Sequence, residues 1–281
     1  HHATLHTAEY LEKQGFEVTY LPVNEDGKIT VQSVKDALTD KTILVSIMAV
    51  NNEIGTIQPI KEIGQLLNEH QAYFHTDAVQ AYGLQSINVI DLGVDLLTAS
   101  SHKINGPKGI GFLYSKESVM MESRHFGGQQ ERKRRPGTEN VAGIVGFNRA
   151  VELVEDERSN RVNLYQSYKQ LFLETLTAEK VNYQINGDVE ETIATIVNLS
   201  FPGTNVESLL TNFDLSGIAA SSGSACTAGS VEPSHVLSAM YGSDDERTVN
   251  SIRFSFGLAN SKEDVVEAAK RVASIVKRIT N

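Results

Sequence analysis

The sequence has one cysteine, no tryptophan, no excess of basic residues and no long apolar run. A single cysteine excludes a disulfide within the chain and is too few for a cysteine-based zinc site. No apolar stretch reaches the roughly 18 residues that a membrane-spanning helix needs. A net charge of −10 argues against direct binding of nucleic acid over the surface. We therefore expect a globular protein that contacts neither membrane nor nucleic acid directly.

The lack of a signal-peptide pattern and the single cysteine also indicate the cellular compartment. The first residues have no basic region followed by an apolar core, so they do not form a signal peptide. A lone cysteine fits a reducing compartment. We expect the protein to be cytoplasmic.

The lone cysteine, Cys226, lies in the stretch Ser-Ser-Gly-Ser-Ala-Cys-Thr-Ala-Gly at residues 221–229. Small and polar neighbours are typical of a solvated loop rather than a packed core. A free thiol on such a loop is suited to act as a nucleophile. The alternative is an incidental exposed cysteine, and the loop by itself leaves both open.

The first half of the chain alternates between strand-like and helix-like segments. Apolar spacing predicts helices at residues 4–14, 31–38 and 60–67, and strands at 16–20, 43–50, 72–76, 96–99 and 109–114. The run at 43–50 is continuously apolar, as in a strand buried on both faces. Such alternation predicts an α/β fold with a mostly parallel, mixed sheet and helices on both faces.

The composition changes after about residue 150. A helix is expected from residue 140 to 153, and the charged stretch 155–161 would extend it as a long connector. Strands are predicted at 192–201 and 252–256, and a helix at 206–213. Ser261 and Asp264 resemble a capping box that opens a last amphipathic helix. We therefore predict a large domain over residues 1–148 and a small C-terminal α+β domain over residues 149–281.

Polar side chains follow three of the predicted strands, at the edge where open α/β sheets bind ligands. Asn51 follows the first, Asp77 the second, and Ser100, His102 and Lys103 the third. A lysine amine can form a Schiff base with the aldehyde of pyridoxal 5'-phosphate. An aspartate beside the ring nitrogen keeps that nitrogen protonated and makes the ring an electron sink. This set of residues therefore favours a pyridoxal-phosphate site.

Several motifs together resemble the cysteine desulfurases of the NifS/IscS type. These motifs are Ser-His-Lys at 101–103, His-Thr-Asp-Ala-Val-Gln at 75–80, Val-Asn-Asn-Glu-Ile-Gly at 50–55, Arg-Pro-Gly-Thr at 135–138, Ser-Ile-Arg-Phe-Ser at 251–255 and the cysteine loop. The form of the cysteine loop resembles the group I branch. The resemblance implies a fold-type-I pyridoxal-phosphate transferase of the class-V aminotransferase family. It implies conversion of L-cysteine to L-alanine, with the sulfur left as a persulfide on the cysteine.

The resemblance also implies a role for each matching residue. Lys103 would form the Schiff base and move the α-proton, and Cys226 would attack the substrate sulfur. Around the cofactor, Asp77 would contact the ring nitrogen, Gln80 the ring oxygen, and Ser100 and His102 the phosphate, while His1 would stack on the ring and is a candidate acid–base group. Asn51 and Arg253 would bind the substrate carboxylate, and Asn51 would also lie beside the cofactor. Thr138 would reach the phosphate of a neighbouring subunit. The last role implies a homodimer. No metal is expected.

The resemblance implies sulfur acceptors and also a departure. Acceptors in the family are iron–sulfur scaffold proteins and tRNA-thiolating enzymes, and nothing in the sequence chooses between them. The family has a further N-terminal segment whose backbone N–H groups hold the cofactor phosphate. This sequence begins at the ring-stacking histidine. We therefore expect weaker cofactor binding by this chain alone.

Three alternatives stay open at this point. A Cys–His hydrolase or acyltransferase would pair Cys226 with His235 or another histidine, but it gives Asp77 and Lys103 no role. A desulfurase fragment that only docks partners would need no catalysis. A selenocysteine lyase or an aminotransferase would share the cofactor, although the cysteine loop disfavours the aminotransferase.

Overall fold

The computed structural model describes residues 1–223 and 233–280. These residues form two compact units. One consists of His1–Ala37, Val50–Gln58 and Ser159–Asn281, and the other of Leu38–Ala49 and Pro59–Arg158. We call them the antiparallel unit and the parallel unit after their sheets.

The parallel unit has a four-stranded sheet in the order β1-β2-β3-β4. Its strands are β1 (Leu44–Met48), β2 (Tyr73–Asp77), β3 (Leu96–Ser100) and β4 (Gly111–Ser115). The first three run parallel and β4 is antiparallel to β3. Helices α3 (Ile60–Leu67) and α4 (Gln130–Lys133) and the first part of α5 (Val141–Ala178) belong to this unit. The predicted mixed α/β fold with a parallel-containing sheet is confirmed.

Apolar spacing explains why these elements form where they do. In β2 and β3 alternate residues are buried, with Phe74 and Leu97 in the core. Helix α3 buries Ile60, Ile63 and Leu67, which share one helical face. The sequence therefore specified both the type and the burial of these elements.

Two strand predictions are wrong in part or in full. The run at 43–50 forms β1, but Leu44 is 48% exposed and Ile43 is 62% exposed. Within residues 1–223 and 233–280, β1 pairs with β2 alone, so it is an edge strand. The predicted strand at 16–20 does not form; Phe16 and Tyr20 are exposed, and the Tyr20 hydroxyl donates to Glu12 at 2.8 Å. An apolar run shows that a segment is hydrophobic, but it does not show whether the strand will be central or at the edge of its sheet.

The antiparallel unit has a three-stranded sheet in the order β5-β6-β7. Its strands are β5 (Gln184–Ile185), β6 (Ile196–Ser200) and β7 (Ser251–Ser255), all antiparallel. Its helices are α1 (His2–Lys13), α2 (Val31–Ala37), the last part of α5, α6 (Val206–Leu215), α7 (His235–Tyr241), α8 (Arg247–Asn250) and α9 (Lys262–Thr280). This is the α+β character that the sequence predicts for the C-terminal part.

Aromatic packing and helix capping hold this unit together. Phe254 on β7 packs against Phe172 on α5, with ring centroids 4.8 Å apart, and against Phe213 on α6 at 6.0 Å. At the start of α9, the Ser261 N–H donates to Asp264 Oδ2 at 2.9 Å and the Asp264 N–H donates to Ser261 Oγ at 3.1 Å. The predicted capping box is confirmed, with Asp in the place of Glu.

Helix α5 is the long connector that the sequence suggested. It runs for 38 residues and contributes residues to both units. The compact units are not contiguous in sequence, because the first 37 residues belong with the C-terminal part. The division into domains 1–148 and 149–281 stays a prediction. In the described part of the chain, none of the helices is both long enough and apolar enough to span a membrane.

Candidate active site

The parallel unit brings Asp77 and Ser100 to the same edge of its sheet. Asp77 is the last residue of β2 and Ser100 the last of β3, and the two strands run parallel with Asp77 opposite Thr98. The Asp77 carbonyl accepts from the Ala49 N–H at 2.8 Å, and the Ala78 N–H donates to the Thr98 carbonyl at 2.9 Å. Backbone bonds on both sides therefore fix where the Asp77 side chain begins.

The turn after β2 carries the second cofactor candidate. Asp77 Oδ1 accepts from the Val79 N–H at 2.9 Å, and the Ala81 N–H donates to the Ala78 carbonyl at 2.9 Å. Gln80 lies within this turn, and both Gln80 and Asp77 are half-buried. One carboxylate oxygen thus shapes the turn that presents the glutamine.

His102 and Lys103 lie on the 3-10 turn Ser101–Ile104, which directly follows β3. The three-residue period of this turn buries Ser101 and Ile104, and it leaves His102 and Lys103 exposed. A Cβ atom at Gly106 would lie only 2.1 Å from Ser101 Oγ. A side chain at residue 106 would therefore displace the Ser101 hydroxyl where the chain leaves the turn.

Electrostatics at this edge favour neutral imidazoles. Partial desolvation of the ring lowers the pKa of His102, although the side chain is exposed, and the nearby Lys103 and Lys108 lower it further. Burial also lowers the pKa of His75, with the Asp77 carboxylate opposing that effect. At neutral pH His102 is therefore suited to donate a hydrogen bond to an anion rather than to add a positive charge.

The chemistry of these side chains fits pyridoxal 5'-phosphate. Five suitable side chains lie at the ends of two neighbouring parallel strands or just after them. They are the Lys103 amine for the aldehyde, the Asp77 carboxylate for the ring nitrogen, the Gln80 amide, the Ser100 hydroxyl and the His102 imidazole. Thr138, the remaining cofactor candidate of this unit, is exposed and lies between α4 and α5. Its role at a neighbouring subunit stays a prediction.

In the antiparallel unit, Asn51 organises a buried turn. Its Oδ1 accepts from the N–H groups of Glu53 at 2.8 Å and Ile54 at 3.1 Å, and its own N–H donates to the Thr56 carbonyl at 3.0 Å. Asn51 is only 9% exposed. It therefore has a clear structural role, and its contacts with substrate and cofactor stay predictions.

Arg253 connects the same turn to the sheet. It lies on β7 opposite Asn198 of β6, and its backbone also pairs with Ser221 in both directions, at 2.7 and 3.3 Å. Its Nη1 donates to the Asn52 carbonyl at 2.9 Å. A guanidinium group held in this way is oriented before a carboxylate binds it.

The N-terminal histidines lie in the antiparallel unit. His1 is exposed and caps α1, with its Nδ1 accepting from the Ala3 N–H at 3.1 Å. His2 packs between His6, at a centroid distance of 4.6 Å, and His235, at 4.7 Å. Among residues 1–223 and 233–280, no cluster of three or more His, Cys, Asp or Glu side chains is arranged to hold a metal ion. Ring stacking by His1 stays a prediction.

Sequence reasoning missed Glu53, a carboxylate buried below the surface of the antiparallel unit. It is 0% exposed, and its Oε1 lies 3.9 Å from Nδ1 of His235. Burial lowers the pKa of His235, while the Glu53 carboxylate opposes that effect. The only signal in the sequence was an acidic residue inside the otherwise uncharged motif at 50–55.

Cys226 lies outside the described residues.

The chain matches the class-V aminotransferase family over residues 1–267. The chain belongs to this family. It is 56% identical over 280 residues to the putative cysteine desulfurase IscS 1 of Bacillus subtilis (strain 168). This match covers 100% of this chain and 74% of that protein. It is 49% identical over 283 residues to the cysteine desulfurase IscS of Methanosarcina thermophila, covering 100% of this chain and 69% of that protein.

Solved structures give the same assignment. A NifS-like protein superposes with a TM-score of 0.90 at 32% identity, over 99% of this chain and 73% of the other. The structure of DndA from Streptomyces lividans superposes with a TM-score of 0.77 at 40% identity, over 91% of this chain and 72% of the other. The class-V aminotransferases are pyridoxal-phosphate enzymes, so the predicted family, fold and cofactor are confirmed.

The class-V site residues fall into two groups. Five of the predicted cofactor residues lie together on the parallel unit, as described above. His1, Asn51 and Arg253 belong to the antiparallel unit, where Asn51 and Arg253 are joined through residues 52 and 53. The individual roles of all these residues stay predictions.

Proposed function

We propose that this chain is a pyridoxal-phosphate-dependent cysteine desulfurase that converts L-cysteine to L-alanine. The observation that carries the proposal is the placement of Lys103 directly after β3, beside a parallel strand that ends in Asp77. The names of its IscS relatives support the same activity. A hydrolase or a plain binding module would not need an amine and a carboxylate at one sheet edge.

The residues of the parallel unit divide the work of binding and proton transfer. When bound, the cofactor supplies an electron sink for the pair released at the substrate α-carbon. The Asp77 carboxylate would hold a proton at the ring nitrogen, and Gln80 would donate to the ring oxygen. Ser100 and His102 would bind the phosphate, with His102 as a neutral donor. The Lys103 amine would hold the aldehyde carbon and would carry the α-proton.

The residues of the antiparallel unit and the cysteine loop act on the substrate. The Arg253 guanidinium and Asn51 bind the substrate carboxylate, and a planar guanidinium can engage both of its oxygens. The Cys226 thiolate attacks the substrate sulfur, so an S–S bond forms and the Cβ–S bond breaks, with its electron pair left on carbon. The thiol proton balances the new C–H bond of alanine. L-Cysteine and one thiol thus give L-alanine and one persulfide.

We further propose that the persulfide sulfur passes to an iron–sulfur scaffold protein or a tRNA-thiolating enzyme in the cytoplasm. A homodimer would place Thr138 at the phosphate of the neighbouring subunit. These assignments rest on the resemblance of the motifs and on the lone cysteine. Light scattering of the purified protein tests the dimer.

The test is production of alanine and sulfide from L-cysteine, with added cofactor and a thiol reductant. It is run on this chain and on a chain extended to the length of the IscS relatives. Lys103→Ala should remove the visible absorption band of the lysine-bound cofactor and all turnover. Cys226→Ala should keep the band but lose sulfide release, since only the acceptor thiol is missing.

Three outcomes would contradict the proposal. Full turnover by Cys226→Ala would show that this thiol does not accept the sulfur. An unchanged visible band in Lys103→Ala would show that another amine holds the cofactor. A band without alanine formation from L-cysteine, but with turnover of L-selenocysteine, would favour a selenocysteine lyase instead.

A further inference from the structure

Asn198 is a polar residue in the middle of a buried strand of the antiparallel unit. It lies in β6, where every residue is buried, and it is itself 1% exposed. Burying an amide is costly unless its donor and acceptor atoms are paired. A leucine has nearly the same shape and would fill this space without that cost. The partners of Asn198 therefore indicate the purpose of its amide group.

The Asn198 side chain holds the buried turn that begins at Asn51. Its Nδ2 donates to the Glu53 carbonyl at 3.1 Å. Its Oδ1 accepts from Asn186 Nδ2 at 2.7 Å, and the same nitrogen of Asn186 donates to Ser251 Oγ at 2.9 Å. Asn186 is also only 1% exposed. A buried chain of hydrogen bonds thus leads from β7 through Asn198 to the turn.

The direction of this chain of hydrogen bonds is set at its far end. The Ser251 hydroxyl donates its one hydrogen to the Arg247 carbonyl at 2.6 Å. Ser251 Oγ can therefore only accept from Asn186, so the nitrogen of the Asn186 amide faces it and also faces Asn198 Oδ1. The nitrogen of Asn198 is then the atom that faces Glu53. A satisfied buried network of this kind specifies one arrangement of its groups.

Arg253 holds the neighbouring carbonyl of the same turn. Arg253 and Asn198 lie opposite each other in the register of β7 and β6. Arg253 Nη1 donates to the Asn52 carbonyl at 2.9 Å, and Asn198 donates to the next carbonyl, that of Glu53. Two cross-strand neighbours thus hold two consecutive carbonyls. Movement of the second carbonyl would move the peptide before it, and with it the oxygen that orients the guanidinium group.

We propose that Asn198 is a positioning residue that keeps Arg253 oriented for the substrate carboxylate. It acts through the turn, by holding the Glu53 carbonyl and hence the Asn52 carbonyl beside it. The inference rests on the proposed function, in which Arg253 and Asn51 bind that carboxylate. A guanidinium whose plane is fixed before binding loses less freedom when it engages both carboxylate oxygens. Loss of the Asn198 contact therefore weakens binding of the carboxylate.

The experiment compares two ligands that differ only in the carboxylate, L-alanine and ethylamine, in the protein with cofactor bound. Neither ligand has a thiol, so sulfur transfer does not enter the measurement. Asn198→Leu should raise the L-alanine concentration that half-saturates the change in the cofactor band by about tenfold, roughly the worth of one hydrogen bond to a charged group. The half-saturating concentration of ethylamine should stay at its wild-type value.

Amide hydrogen exchange in the cofactor-free protein gives a second measurement. The N–H groups of Glu53 and Ile54 donate to Asn51 Oδ1. They should exchange faster in Asn198→Leu than in the wild type, because the turn has lost its contact with β6.

Three further variants separate positioning from stability. Asn250→Leu is the matched control: it removes a buried amide whose Oδ1 accepts from Ser200 Oγ at 2.6 Å, and it should lower the melting temperature without changing the ratio of the two half-saturating concentrations. In an Arg253→Lys background, Asn198→Leu should weaken L-alanine binding no further, because its effect passes through Arg253. If Asn198→Leu does not fold, Asn186→Asp decides the question. A carboxylate there attracts the Asn198 nitrogen and turns it away from the turn, so the ratio should change in the same way.

A wild-type ratio in Asn198→Leu, or in Asn186→Asp where the first variant does not fold, would overturn the inference. So would weakening of L-alanine and ethylamine by the same factor, because that is the signature of a structural role alone. Wild-type exchange at Glu53 and Ile54 would also overturn it. Failure of the proposed function gives a different result: Arg253→Lys then binds L-alanine as the wild type does, or no cofactor band forms, and the inference falls with it.

Discussion

Lys169 on helix α5 places a positive charge inside the antiparallel unit, and its titration makes a quantitative prediction. The residue is 5% exposed, and its Nζ donates to Thr192 Oγ1 at 2.5 Å and to the Ile193 carbonyl at 3.3 Å. Burial lowers the pKa of the ammonium group to about 8, and the Glu190 carboxylate opposes this only in part. An ordinary lysine has a pKa of 10.5.

The sign and size of the effect follow from proton linkage. Between about pH 8 and pH 10.5 the unfolded chain binds more protons at Lys169 than the folded chain does. The free energy of unfolding therefore rises with pH, and the gain starts as the pH approaches the lower pKa. From pH 7 to pH 9 the Lys169 contribution should increase by about 1.4 kcal/mol.

Urea unfolding followed by circular dichroism at pH 7 and pH 9 tests this prediction. Lys169→Met keeps an unbranched side chain of similar length but cannot titrate, so it should lack the gain of about 1.4 kcal/mol. Lys270→Met, a change at an exposed lysine on α9, should keep the wild-type pH dependence. Equal pH dependence in wild type and Lys169→Met would refute the argument that burial holds this pKa down.

Two further predictions concern packing and are measured by thermal or urea unfolding. Phe213→Ala removes a ring that is 0% exposed and should lower the free energy of unfolding by about 3–5 kcal/mol. Its control is Leu215→Ala, at a side chain that is 81% exposed, which should change the free energy of unfolding by about 0.5 kcal/mol or less. Similar losses in both would contradict the assigned core. Gly64→Ala places a Cβ atom 1.9 Å from the Leu92 carbonyl oxygen and should cost about 1–3 kcal/mol. Gly257→Ala meets nothing within 4 Å and is the control, so a Gly64→Ala variant as stable as Gly257→Ala would show that helix α3 can move aside.

Periodicity in the sequence predicted most elements because their burial follows from their own side chains. Helix α9 shows this well: its capping box and its apolar stripe are local features, and the structure forms both. The segment at 16–20 shows the limit. It alternates as a strand does, but a strand also needs a partner that supplies hydrogen bonds, and sequence alternation cannot report one.

The sequence by itself determined the family and the cofactor chemistry, because these depend on residue types in short motifs such as those around Asp77 and Lys103. Only the tertiary structure decided which distant residues come into contact. It joined Glu53 to Ser234 across a long stretch of chain, and it buried Lys169 against Thr192 and Ile193. Such contacts depend on how distant segments pack, and burial then sets the energy of a charge that looks ordinary in the sequence.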